Sequence, residues 1–124
     1  MTRFDRAAQL WSLLVFAART QQILSYSMVQ KLTGIPKVGA GRCLAPIQDY
    51  CEEHGFPQLT SIVVRESEGD PGDGFHKKDD IDEPMFKAQA RVFVFDWLKT
   101  NAPKSEDLQK SYKKKHPDDD SIQE

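Results

Sequence analysis

Apolar residues recur at helical spacing from the start of the chain. Leu10, Leu13, Leu14 and Ala17 fall on one face, and Trp11 and Val15 widen it, which predicts a helix over residues 4–19. Arg3, Asp5 and Arg6 keep its entry polar. Residues 21–26 are too short for another helix and read as an extended link or a one-rung strand. Ser25 or Ser27 can cap a second helix over 28–33, which Gly34 and Pro36 end. A third helix is expected over 38–53, with Leu44, Ile47, Tyr50 and Cys51 as its apolar face. Pro46 is awkward in that interior. Either the helix kinks there, or it begins near Ala45 and Gly39 and Gly41 form a loop. In a helix, the two glycines allow close approach of another backbone, either a packed helix or a phosphate backbone.

The period then changes. Residues 59–64 (Leu59, Thr60, Ser61, Ile62, Val63, Val64) are rich in β-branched side chains and read as a strand. A polar, glycine-bearing excursion over 65–74 follows, and Phe75 returns from it, so strand, turn and aromatic together make a small wing. Pro84 opens a further helix over 84–98, in which Phe86, Ala90, Phe93 and Trp97 form a helically spaced stripe. Such a stripe covers a core or makes a partner interface. Residues 91–95 are also compatible with a strand. From Thr100 the chain turns polar. The expected organisation is one domain over 1–100 and a polar, flexible tail over 101–124, with a frayed helix ahead of a disordered end as the other reading of that tail, the fold being mainly α with a small β element.

Charge and chemistry narrow the function classes. A formal net charge of -2 argues against a protein coated in positive charge, so any nucleic-acid surface must be local. Cys43 and Cys51, eight residues apart on one helix, are too distant for a disulfide and read as small buried apolar residues of a reducing compartment. The apolar run at 10–16 is far short of a membrane span and has no secretory cleavage site, so a cytoplasmic location and no membrane partner are expected. No metal-ligand spacing, Walker motif or nucleophile–histidine–acid grouping occurs. The loop over 69–74 lacks the Gly-Lys-Ser/Thr of a phosphate cradle and the spacing of a calcium loop, and reads as a structural turn. A non-enzymatic protein without cofactor is expected.

The order of landmarks from Ser25 to Phe75 resembles the winged helix-turn-helix DNA-binding domain of the alkylguanine-DNA alkyltransferases and alkyltransferase-like proteins. Ser25-Tyr26-Ser27 is similar to the family's opening turn, Leu32-Thr33-Gly34-Ile35-Pro36 to the end of its short helix, and Gly39-Ala40-Gly41-Arg42-Cys43-Leu44 to its next helix. Residues 59–64 and 72–75 correspond to the acceptor-cysteine stretch and a later Gly-Gly-Tyr. The alkyl-accepting cysteine falls on Thr60 and the histidine behind it on Ser61, so the resemblance implies the fold without alkyl transfer, which needs a thiolate. The inserted arginine falls near Val38, and the phosphate-contacting tyrosine is kept as Tyr26. The run from Gln48-Asp49-Tyr50-Cys51 through Leu59-Thr60 to Gly74-Phe75 also resembles a group of small bacterial proteins that share this scaffold and supply no function.

Two surfaces therefore carry the functional expectation. In the first, a winged-helix face binds double-stranded DNA through Tyr26, Lys31, Lys37 and Arg42, flanked by Arg65, Lys77 and Lys78 of the wing. In the second, the aromatic stripe of Phe86, Phe93 and Trp97 docks a protein partner or a second copy.

Overall fold

Thr2 caps the start of the first helix. Its Oγ1 accepts from the Asp5 N–H at 3.1 Å, and the Asp5 carboxylate accepts from the Thr2 N–H at 3.0 Å, a reciprocal capping box. That backbone hydrogen bond, first among several, holds the Asp5 carboxyl below its usual range. The computed structural model describes residues 2–65 and 84–119. Helix α1 spans Arg3–Arg19 and buries Phe4, Ala7, Leu10, Trp11, Leu14 and Ala17, close to the face that the spacing predicts. At its end Gln21 takes a left-handed conformation (φ 56°), and the Gln21 and Gln22 N–H groups donate to the Ala18 and Ala17 carbonyls.

The chain then forms a two-residue strand, β1 (Leu24–Ser25), and Ser25 caps α2 (Tyr26–Thr33) by accepting from the Met28 N–H. Gly34, at φ 79°, ends α2 in the left-handed region. Helix α3 covers Lys37–His54 and runs through Pro46. Of the two readings of Pro46, the one that keeps it inside a helix holds, and Gly39 belongs to the first turn. A Cβ at Gly39 would meet nothing within 4 Å, so packing within the described chain does not require that glycine.

A proline in a helix leaves the carbonyl four residues earlier without its N–H donor. Here that carbonyl belongs to Arg42, and Arg3 of α1 supplies the donors instead. Its Nε lies 2.9 Å from the Arg42 oxygen, and Nη2 donates to the same atom. The guanidinium is nearly buried, lies 4.4 Å from the Tyr112 ring centroid and faces the Asp119 carboxylate at 4.0 Å. One side chain thus ties α1, α3 and the last helix together.

Residues 59–64 are a correction. They form a 3-10 helix, Leu59–Ile62, and only Val63–Val64 is strand (β2), paired parallel to β1 with Leu24 opposite Val63. In a 3-10 turn residues three apart lie on one side, so Leu59 and Ile62 both reach the core, and tertiary burial overrides the β-branched bias. The expected wing lies outside the described residues except for Arg65.

Helix α4 (Met85–Val94) is helical through 91–94, not a strand, and it ends at the extended Phe95. A second 3-10 helix, Trp97–Lys99, folds back so that the Trp97 Nε1–H donates to the Val92 carbonyl at 2.8 Å. The aromatic stripe is therefore corrected as well. Trp97 leaves the helix and enters the core, meeting Trp11 edge-on at 5.7 Å.

The polar tail is the third correction. Ser105–Lys115 is a helix, α5, that packs on α1 and α3 with Leu108, Ser111 and Tyr112 buried. Its first turn is closed by the Lys104 N–H donating to Asp107 Oδ2 at 3.0 Å. Leu108 and Tyr112, four residues apart, supply a narrow apolar stripe within a lysine-rich stretch. The result is a mainly helical fold with a two-stranded β element.

Candidate functional site

Three regions of the surface carry chemistry. The first is the seam between α3 and α5, where charges face one another across the helices. Glu53 accepts from Lys114 Nζ at 2.9 Å and from the Ser111 hydroxyl, Glu52 pairs with Lys115, and Asp49 Oδ2 lies 3.2 Å from His116 Nε2. The Lys114 hydrogen bond, first among several causes, holds the Glu53 carboxyl below its usual range. Burial pushes the Asp49 carboxyl up, against the pull of His116 and Lys115. Beside this seam lies an open cleft of about 410 Å³ whose walls include the stacked rings of Tyr50 and His54 together with Asp107 and Lys110. Nearby, Cys51 is buried, and that burial raises its thiol to about 12, far from a reactive thiolate. Cys43 is raised for the same reason, opposed by the charges of Arg3, Arg6 and Arg42. Among the described residues no group of three or more His, Cys, Asp or Glu could hold a metal ion.

The second region is the α2–α3 face. Lys31 lies in the last turn of α2, Lys37 opens α3 and Arg42 follows one turn later, all exposed. Tyr26, the first residue of α2, is half-buried against the core. Arg65 is exposed at the end of β2, and Lys77 and Lys78 lie outside the described residues. Met28, Leu32 and Val38 are exposed on the same helix pair, Val38 at 88%. A charge signal that the spacing analysis missed runs through this region. Residues 6–48 contain Arg6, Arg19, Lys31, Lys37 and Arg42 and no aspartate or glutamate, although the whole chain is slightly acidic.

The third region is α4. Its inner face is small and apolar, with Ala88 and Val92 buried. Its outer face is apolar too: Phe86 is 66% and Val94 82% exposed, and Ala90 between them is exposed. These three residues are four apart, so they form one row along the helix. Leu98 adds a further exposed apolar side chain just beyond. Lys87 and Arg91, also four apart and exposed, run beside the row. Of the expected interaction residues, Phe86 stands on this row, Phe93 is half-buried against the core and Trp97 is inside it. Ala90, already part of the expected stripe, is exposed, and the exposed row continues from it to Val94 instead of to Phe93 and Trp97. Both rows share Phe86 and Ala90, and the docking of Ala88 and Val92 selects the one that continues to Val94.

No helix among the described residues is long and apolar enough to cross a membrane. No family model, curated protein or solved structure matches the chain.

Proposed function

We propose that the protein is an interaction module that docks a protein partner on the outer face of α4. The observation that carries this reading is the Phe86–Ala90–Val94 row, apolar and exposed on a helix whose opposite face already packs on the fold. Exposed apolar side chains are ordinary when scattered, whereas a contiguous row on one element marks a contact site. A photo-crosslinking residue at position 90 tests this. The expected product is a discrete adduct that disappears in the Phe86→Ser/Val94→Ser variant. Adduct formation no greater than from the exposed Gln9 position on α1 would overturn it.

A second reading, DNA binding on the α2–α3 face, is favoured by a separate observation. Lys31, Lys37 and Arg42 stand exposed within a long stretch that lacks acidic residues. Phosphate contacts on this face would orient the duplex without fixing its sequence, and affinity would fall as salt rises. Fluorescence anisotropy with duplex and single-stranded DNA at two salt concentrations tests it. Salt-sensitive binding that Lys37→Ala/Arg42→Ala weakens supports the reading, and no binding at micromolar protein in low salt removes it.

A further inference from the structure

We infer that the turn over residues 58–61 is an internal hydration site that holds at least one ordered water molecule. Four polar side-chain atoms lie buried there: Gln58 Oε1 and Nε2, Thr60 Oγ1 and Ser61 Oγ. The three residues are 8%, 1% and 0% exposed, and none of the four atoms has a hydrogen-bond partner among the described residues. A buried polar group left without a partner costs folding free energy, and three such residues within one turn compound that cost. Elsewhere the interior supplies partners. The nearly buried Arg3 donates to the Arg42 carbonyl, and the buried Ser111 hydroxyl donates to Glu53. The turn over 58–61 has the polar groups of such an arrangement without the protein atoms to answer them.

The backbone around these atoms is already engaged. The Ser61 N–H donates to the Gln58 carbonyl at 3.0 Å, the Val63 N–H donates to the Thr60 carbonyl, and Gln89 Nε2 of α4 donates to the Ser61 carbonyl at 2.9 Å. Residues three apart on a 3-10 turn project from one side, so the Gln58 amide and the Ser61 hydroxyl share a side, with Thr60 next along the turn. Helices α1, α3 and α4 pack around the turn and close it off from bulk solvent. The chemistry of the four atoms selects the ligand. The set is neutral and mixes roles: the amide nitrogen donates, the amide oxygen accepts, and each hydroxyl does either. A metal ion would meet the donor nitrogen and find no carboxylate among these residues. An anion would meet the amide oxygen. Water donates and accepts equally. An internal water makes about three hydrogen bonds, and four unpartnered atoms within one turn offer that number.

Magnetic relaxation dispersion of water oxygen, recorded on the full chain, tests the site. It counts water molecules held for longer than the protein takes to tumble, and it does not respond to exchange of hydroxyl protons. The parent protein is expected to show at least one such water, and Gln58→Met/Thr60→Val/Ser61→Ala to show at least one fewer. A parent with no long-lived water, or a folded variant that keeps the parent's full amplitude, overturns the inference. Near-UV circular dichroism matching that of the parent establishes that the variant is folded. If it does not fold, Thr60→Val and Ser61→Ala decide singly through their urea midpoints. Removing a hydroxyl that water links leaves that water short of a bond, so both midpoints are expected to fall. Removing a hydroxyl buried without any partner relieves a penalty instead. A midpoint that rises or stays in place in either variant then overturns the site.

Discussion

The α1–α3–α5 junction and the outer face of α4 use the same two kinds of side chain in opposite ways. At the junction a guanidinium from α1 is taken inside and given partners on α3, on α5 and at Asp119, while the apolar residues around it are out of water. On α4 the cations stand at the surface and apolar residues stand there with them. The first arrangement makes sense as architecture. A buried charge is tolerated because Arg3 donates to a carbonyl that Pro46 leaves without a donor, lies over Tyr112 and faces Asp119. The second has no architectural reason, since Phe86 and Val94 touch water whether or not the rest of the chain is folded. The difference separates residues that hold the fold from residues whose placement the fold itself does not require.

Substitutions probe that separation, and the largest effect belongs to the core. Trp11 is nearly buried and meets Tyr50 and Trp97 edge-on, so Trp11→Ala should cost about 3–5 kcal/mol in urea denaturation. A loss below about 1 kcal/mol would break the division at its stronger end. Next comes Arg3→Met, expected to cost about 1.5–3 kcal/mol because it removes charged donors from a carbonyl that then goes unsatisfied. Pro46→Ala restores the natural donor to the same oxygen. In that background Arg3→Met should cost at least ~1 kcal/mol less, a coupling that a double-mutant cycle reads directly. Strict additivity would mean that the guanidinium acts through Tyr112 and Asp119 alone.

Smaller effects sharpen the edges. Burial raises the Asp49 carboxyl, so native structure favours its protonated form, and the stability it contributes is lost as pH rises through the raised value. Asp49→Asn should therefore be more favourable relative to the parent at pH 8 than at pH 4. A difference independent of pH would show that His116 fully compensates the burial. Gln21 holds a left-handed conformation that glycine adopts freely, so Gln21→Gly should stabilise by about 0.5–1 kcal/mol. At the weak end, Phe86→Ser and Val94→Ser should each change stability by less than about 0.5 kcal/mol. A large loss from either would move α4 into the architectural class and remove the reason to regard its row as a contact site.

Much of the helical frame was legible because its signals are local. Ser25 before a helix, Gly34 after it, and the spacing of Leu10, Trp11, Leu14 and Ala17 each act within a few residues. What failed depends on distant partners. Thr60 and Ile62 look like strand residues, and only the enclosing core makes 3-10 geometry the better way to bury Leu59 and Ile62 together. Leu108 and Tyr112 are two apolar residues among lysines, too few to announce a packed helix, and their value comes from α1 and α3 lying opposite. For the candidate sites, exposure of Lys31, Lys37 and Arg42 agrees with what their residue types suggest. The α4 row was half read, because Phe86 and Ala90 belong to both possible stripes and the turn at Phe95 that redirects Trp97 has no sequence signature.

The Arg3–Arg42 contact also carries an order in time. A ribosome releases Arg3 long before it releases Arg42, and Tyr112 and Asp119 later still. The proline gap in α3 can therefore be filled as soon as α3 itself forms, by a side chain that has been waiting since the first turn of the chain. The cover over that side chain arrives only with the last helix. Without α5 the guanidinium would stand open to water, so the docking of that helix is what completes its burial.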